Sequence, residues 1–280
     1  MKYTYPLFIL SVLLLTGCLD SPSNPNCQEV DESAFLEQNA ARDGVVVTST
    51  GLQYEVIEEG DGDLPSTGQV VFTEYEGRTI DDQRFVSSNG IEYFRLNETI
   101  LPGITDALTR MSEGSTYRLV IPPDLGYGDN PPQGTAVNCG SVLVFDMTLD
   151  SFLRDPEFFL ADNELNDDIT VTESGLQYRI LEEGDGGEKP GPGSRVEVNY
   201  TGTFTNGFEF DSSPAGETVV FNAAGVIQGF AEGVQLMTPG AKYEFFLPPD
   251  IGYGNNPPQG SPIPTNVVLR FEIELVSIVE

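Results

Sequence analysis

An α+β fold built twice in tandem, each copy an antiparallel sheet curled around one short helix, is what this sequence predicts. Three observations carry that prediction. The chain repeats itself: GLQYEVIEEGDG at residues 51–62 and GLQYRILEEGDG at 175–186 agree at nine of twelve positions. Further on, IPPDLGYGDNPPQG at 121–134 and LPPDIGYGNNPPQG at 247–260 agree at eleven of fourteen, so the offset drifts only from 124 to 126. Most of each copy alternates apolar and polar residues, the period of a half-buried strand. One stretch per copy keeps helical time instead.

Taken in order, each copy opens with a short acidic leader. Asp31–Arg42 and Pro156–Asn166 read as helices, the first stopped by Asp43-Gly44 and the second started by Pro156. The GLQY strand follows, then alternating runs such as Arg195–Tyr200, Lys242–Leu247 and Val267–Ile273, with Gly/Pro-rich turns between them. Phe230, Val234 and Met237 fall at i, i+4 and i+7 and end at Pro239-Gly240; Ile104, Leu108 and Met111 do the same before Gly114. The two copies span residues 31–154 and 155–280, each long enough for its own core.

The N-terminus reads as an export signal. Lys2 precedes an apolar run, Leu7–Leu15, too short to span a bilayer, which needs about 20 apolar residues. Leu15-Thr16-Gly17-Cys18 resembles a bacterial lipobox, so residues 1–17 are expected to be removed and Cys18 to carry lipid, with 18–30 as a tether. The alternative is an ordinary signal peptide that happens to hold a cysteine. With Cys18 lipidated, Cys27 and Cys139 remain as an even pair in an oxidising compartment and are expected to form a disulfide.

Composition removes most other chemistry. A formal charge of −31 repels phosphate backbones, which argues against nucleic acid as a partner. Three cysteines and no histidine leave no usual zinc site and no His-dependent nucleophile or general base, and neither metal nor cofactor is expected. What remains is a concentration of aromatic and branched residues beside Gly/Pro loops, suited to an apolar pocket for a peptide and equally to a core.

Five ordered blocks of the second copy favour the pocket: VNYTG (198–202), GFEFDSS (207–213), GVIQGFAEG (225–233), PPDIGYG (248–254) and LRFEIEL (269–275). Together they resemble the FKBP-type peptidyl-prolyl cis/trans isomerases, and the GLQY strand with its leader is similar to the macrophage-infectivity-potentiator branch. The first copy carries the same order more weakly, from EYEG (74–77) to LVFDMTL (143–149). The resemblance implies FKBP-like domains and prolyl isomerisation of exported, proline-containing polypeptides. It implies aromatic walls at Tyr200, Phe210, Tyr253 and Phe271, Val226 and Ile227 on the loop meeting ligand carbonyls, Phe230 as the floor and Ile263 closing the loop side. Asp211 is implied as the buried polar residue, and Val219 as the stand-in for another family aromatic.

In the first copy the corresponding positions are Tyr75, Phe85, Tyr127 and Phe145 for the walls, Ile100 and Leu101 for the carbonyl loop, Ile104 for the floor and Val137 on the loop before Cys139. Val86 stands where the second copy has Asp211, so the better site is expected in the second. The reading from a different class is a non-catalytic, lipid-anchored chaperone or scaffold that uses these folds to bind peptides. Oligomeric state is left open.

Overall fold

The computed structural model describes residues 28, 30–97 and 101–279; the predicted signal segment, Cys18, Cys27 and Ile100 lie outside these residues. Two compact units result, one ending at Phe152 and the other running on from Leu153.

The first unit begins with α1 (Ser33–Ala40), shorter than the leader read from sequence, followed by β1 (Val45–Val47), β2 (Gln53–Glu58), β3 (Val70–Thr79), β4 (Arg84–Ser87) and β5 (Glu92–Arg95). Then come α2 (Pro102–Leu108), β6 (Thr116–Ile121) and β7 (Leu143–Leu153). The second repeats it as α3 (Pro156–Asn163), β8 (Thr170–Val171), β9 (Gln177–Glu182), β10 (Arg195–Phe204), β11 (Glu209–Ser212), β12 (Val219–Asn222), α4 (Gln228–Leu236), β13 (Lys242–Leu247) and β14 (Leu269–Val279). Strand order is β1-β2-β6-β7-β3-β4 with β5 on β3, and β8-β9-β13-β14-β10-β11 with β12 on β10. Each unit is thus a seven-stranded, non-sequential sheet with a helix against it, and the fold class is α+β.

The glutamine of each GLQY strand has a specific task. Gln53 is buried; its Oε1 accepts from Asn39 Nδ2 at 2.8 Å and its Nε2 donates to the Leu36 carbonyl at 3.0 Å. Gln177 repeats both bonds with Asn163 and Leu160, at 2.8 and 2.9 Å. A buried amide demands partners, and here the partners are the leader helix, which explains why leader and strand keep a fixed spacing in both copies.

The helices α2 and α4 lie close against their sheets because glycine begins each contact. A Cβ at Gly229 would meet Leu247 at 2.5 Å, and one at Gly103 would meet Ile121 at 2.5 Å. The buried stripe read from sequence holds: Phe230, Val234 and Met237 are all within 5% of full burial, with Met237 just past the helix end. A charged group fixes the far face of the second sheet. Glu244 on β13 is 1% exposed and pairs with both Arg179 and Arg270, whereas the first unit sets Arg118 between the strands that carry Glu55 and Asp146.

Candidate functional site

The site of the second unit is assembled over one glycine. On β10, Gly202 has its Cα opposite Asp211 of β11, and the next register pair is Thr203 with Glu209, leaving Phe210 as the extra residue of a β-bulge. A bulge breaks strict alternation, so Phe210 and Asp211, although consecutive, both serve the face that carries Tyr200. Phe210 then lies across Gly202, where a Cβ would come within 2.8 Å of its ring and 2.9 Å of Phe271. Any larger residue at 202 would push the two walls apart.

Above this strand the aromatic side chains meet edge to face. Phe271 on β14, 5% exposed, contacts Phe210 at 5.6 Å between centroids and 88°, and Phe230 at 5.4 Å and 89°. Tyr200 lies 6.1 Å from Phe230 at 89° and 6.4 Å from Phe271. Such pairs exceed simple area burial by about 0.5–1.5 kcal/mol. Val226 and Ile227 sit half-buried between a 3-10 turn and the start of α4, Ile263 is 9% exposed, and Tyr253 is half-buried after the PPDIG turn.

One aromatic was missed from sequence. The place given to Val219 is filled two residues on by Phe221, whose ring contacts Tyr200 at 5.5 Å and Phe230 at 5.7 Å. Alternation along β12 puts Val219 and Phe221 on one face, so counting two residues past Val219 would have reached it.

Asp211 is where the resemblance needs correction: it is exposed, not buried. It lies on β11, the edge of the sheet, with one side open to solvent. Its carboxylate nevertheless accepts from the Tyr200 hydroxyl at 2.8 Å. Burial first, then this hydrogen bond and charge, push the Tyr200 phenol well above its ordinary value. Burial and the Asp211 charge raise Tyr253 as well. Both phenols are therefore protonated donors at neutral pH.

The first unit rebuilds the same arrangement. Gly77 has its Cα opposite Val86, Phe85 is the bulged residue, and a Cβ at Gly77 would touch Phe145 and Val86 at 2.7 Å. Phe85 meets Phe145 at 5.6 Å and 87°, and Tyr127 at 6.3 Å and 75°. Leu101, Ile104, Val137 and Phe145 are buried in one core cluster, with Tyr75, Phe85, Val86, Phe94 and Tyr127 packed against it. Ile100 lies outside the described residues. Cys139, on the loop that carries Val137, is disulfide-bonded; the pairing with Cys27 falls outside the described residues.

These tyrosines make an alkaline prediction. Burial raises Tyr93 to about 12, and raises Tyr75, Tyr127, Tyr200 and Tyr253 in the same direction. Tyrosines of the unfolded chain release protons near pH 10, while the folded ones still hold theirs. The unfolded state then binds fewer protons, so unfolding free energy falls as pH rises. Urea unfolding at a series of pH values, with tyrosinate absorbance, should show stability flat below about pH 9 and declining through 10 and above. A flat profile through that range would contradict the burial described here.

Comparison with known proteins gives the arrangement a lineage. The family described as FKBP-type peptidyl-prolyl cis-trans isomerase matches residues 62–150 and again 186–276, and the domain amino terminal to such isomerases matches 25–56. The FKBP-type peptidyl-prolyl cis-trans isomerase FkpA of Aeromonas hydrophila is 46% identical over 123 residues, covering 44% of this chain and 45% of that protein. The outer membrane protein MIP of Legionella longbeachae is 43% identical over 121 residues, 43% of this chain and 51% of its own. A Schizosaccharomyces pombe peptidyl-prolyl cis-trans isomerase is 40% identical over 109 residues, which are 37% of this chain and 95% of that one. The match thus spans about half the length of the two bacterial relatives and nearly all of the yeast one. With one family matched twice, together over more than half of the chain, and the same bulge, glycine and edge-to-face phenylalanine pair in each match, the chain belongs to the FKBP-type peptidyl-prolyl cis-trans isomerases.

Proposed function

We propose that this protein catalyses cis/trans isomerisation of X-Pro bonds in exported polypeptides, mainly through the second unit, residues 155–280. The observation that supports this reading most is the ring cluster of Tyr200, Phe210, Phe221, Phe230 and Phe271, with a protonated tyrosine anchored to Asp211 at its rim. A prolyl amide turns over a barrier of about 18–20 kcal/mol because resonance keeps it planar. No bond breaks, so a site without nucleophile or base suffices. Apolar walls favour the twisted amide, less polar than the planar one, and each 1.4 kcal/mol of that preference is worth about tenfold in rate. Asp211 orients the Tyr200 hydroxyl and needs no proton transfer for this. Tyr253, with its phenol protonated, is the donor toward a substrate carbonyl.

Export and anchoring belong to the same proposal. The lipobox-like Leu15–Cys18 supports attachment to the envelope through lipid on Cys18, and one relative bears the name outer membrane protein MIP. Cys27 is the natural partner of Cys139, because the Cys139 N–H donates to the Gln28 carbonyl at 3.2 Å and the Val30 N–H donates to the Cys139 carbonyl at 3.0 Å.

The test is isomerisation of a Leu-Pro tetrapeptide followed by exchange NMR. The full chain should accelerate exchange well above background, and Asp211→Val should lower the acceleration several-fold. No acceleration by the intact protein would overturn the enzyme reading in favour of a binding scaffold. An unchanged rate in Asp211→Val would remove the role given to that carboxylate.

A further inference from the structure

The first unit has lost the aspartate of the second, yet its tyrosine is not left alone. Tyr75 and Tyr200 occupy matching places on β3 and β10, two residues before Gly77 and Gly202. Tyr200 donates to Asp211 on β11, at 2.8 Å. Tyr75 donates at the same 2.8 Å to Glu92 Oε2, which arrives from a different strand, β5. The register makes the exchange explicit. Val71 has its Cα opposite Phe94 and Thr73 opposite Glu92, while Val196 lies opposite Phe221 and Val198 opposite Val219. Glu92 therefore stands where the second unit has Val219, and Val86 stands where it has Asp211. A carboxylate and a valine have traded places around one tyrosine.

We propose that Glu92 is the positioning residue of a second prolyl-peptide-binding pocket in the first unit, holding Tyr75 as Asp211 holds Tyr200; this rests on the function proposed above. Among the described residues, the aromatic pair at the centre of the pocket is kept. Phe85 and Phe145 meet at the same 5.6 Å, and within one degree of the same angle, as Phe210 and Phe271. Ile104, 8% exposed, replaces the Phe230 floor with a smaller branched side chain. Glu92 also accepts from the Asn89 N–H at 3.4 Å through its other oxygen, so one carboxylate spans turn and phenol and is fixed at both ends. Burial, then the Glu92 hydrogen bond and charge, keep the Tyr75 phenol protonated. Moving the carboxylate changes the pocket wall: the β4 side becomes apolar at Val86, which packs on the core cluster, and the negative charge moves to the β5 side. The two units therefore present proline to a charge on opposite flanks of the tyrosine, and should rank peptides with acidic or basic neighbours of proline differently.

Fluorotyrosine-labelled full-length protein provides the test, with the Tyr75 and Tyr200 fluorine resonances assigned by Tyr75→Phe and Tyr200→Phe. A Leu-Pro tetrapeptide is titrated in and each resonance reports its own unit. Both should shift. Glu92→Gln should weaken the affinity read at Tyr75 by about five- to tenfold, the size of one net hydrogen bond, and leave that read at Tyr200 unchanged. Adding Val86→Asp to Glu92→Gln should restore it, because the carboxylate returns from the strand that the second unit uses; a purely structural role for Glu92 would not be rescued from β4. A Tyr75 resonance that ignores the peptide while Tyr200 responds overturns the proposal alone. Silence at both tyrosines overturns the proposed function itself. An affinity within twofold in Glu92→Gln, or no rescue, also overturns the role of Glu92. Should Glu92→Gln unfold the first unit, Glu92→Ala with Val86→Asp retains an anchor for Tyr75: binding kept at Tyr75 supports the proposal and binding lost overturns it.

Discussion

Replacing Phe271 with alanine should lower the unfolding free energy of the second unit by about 3–5 kcal/mol and reduce its isomerisation rate about a hundredfold. The size follows from position. Phe271 is 5% exposed and touches three other rings of the site, two of them edge to face. Its removal leaves a void under Phe210, which is held over Gly202 by the bulge and by the Phe271 ring itself. With Gly202 offering no side chain, Phe210 is left braced by Phe204, at 5.0 Å between centroids, and can tip into the void on its other side. Wall geometry, and with it preference for the twisted amide, is then lost. Phe271→Leu separates the two effects. It keeps most of the volume and should cost about 1–3 kcal/mol, mainly the two edge-to-face contacts it loses. Urea unfolding with amide exchange resolved by unit gives the stability, and exchange NMR on a Leu-Pro peptide gives the rate. An alanine variant that keeps full activity would mean that the peptide does not bind against this ring.

Much of this was legible in the chain before any coordinates. The duplication, the leader helices, the strand alternation and the buried stripe of α4 are period and repeat signals, and these survive because each is fixed by local burial. Tyr200, Phe210, Phe230 and Phe271 were legible for a different reason: they sit in blocks whose order is itself distinctive. What was missed lies where order gives way to register. Phe221 lies two residues past Val219, the position matched to the family aromatic, and on the same strand face, so the match fell one period of the alternation short. Glu92 was invisible because a carboxylate that crosses from one strand to its neighbour leaves its old position looking merely lost, as Val86 does. Asp211 was expected to be buried because the resemblance implied a buried polar residue at that position. The structure brings only its carboxylate tip to the Tyr200 phenol and leaves the edge strand open. Pairing across strands, unlike period along them, is not written in a single sequence.

Reduction of the disulfide at Cys139 should destabilise the first unit by about 4–5 kcal/mol, the chain-entropy value for a closed loop of about a hundred residues, and leave the second unit within about 0.5 kcal/mol. That magnitude depends on the proposed partner, Cys27, since no other pairing with a free thiol leaves Cys18 available for lipid. The local contacts are weak without it. Gln28 and Val30 exchange two backbone hydrogen bonds with Cys139, the Glu32 carboxylate accepts from the Val142 N–H at 2.7 Å, and a Cβ at Gly140 would come within 2.7 Å of the Val30 carbonyl. Each backbone bond nets only about 1 kcal/mol and the one to the Glu32 carboxylate about 1.5–3 kcal/mol, together no more than the entropy of ordering the residues that make them. The covalent link therefore decides whether Gln28 and residues 30–32 stay on the 137–142 loop, and Val137 on that loop is buried in the core cluster of the first unit. Amide exchange with and without reductant should show protection lost at Val30, Cys139 and Val142 first, then across the first unit. Peptide mapping without reduction should recover Cys27 joined to Cys139. A free Cys139 thiol would refute the pairing. Equal loss of protection in both units would mean that the bond acts on the whole chain, and the separate stability of the two units, on which the two-pocket account depends, would have to be given up.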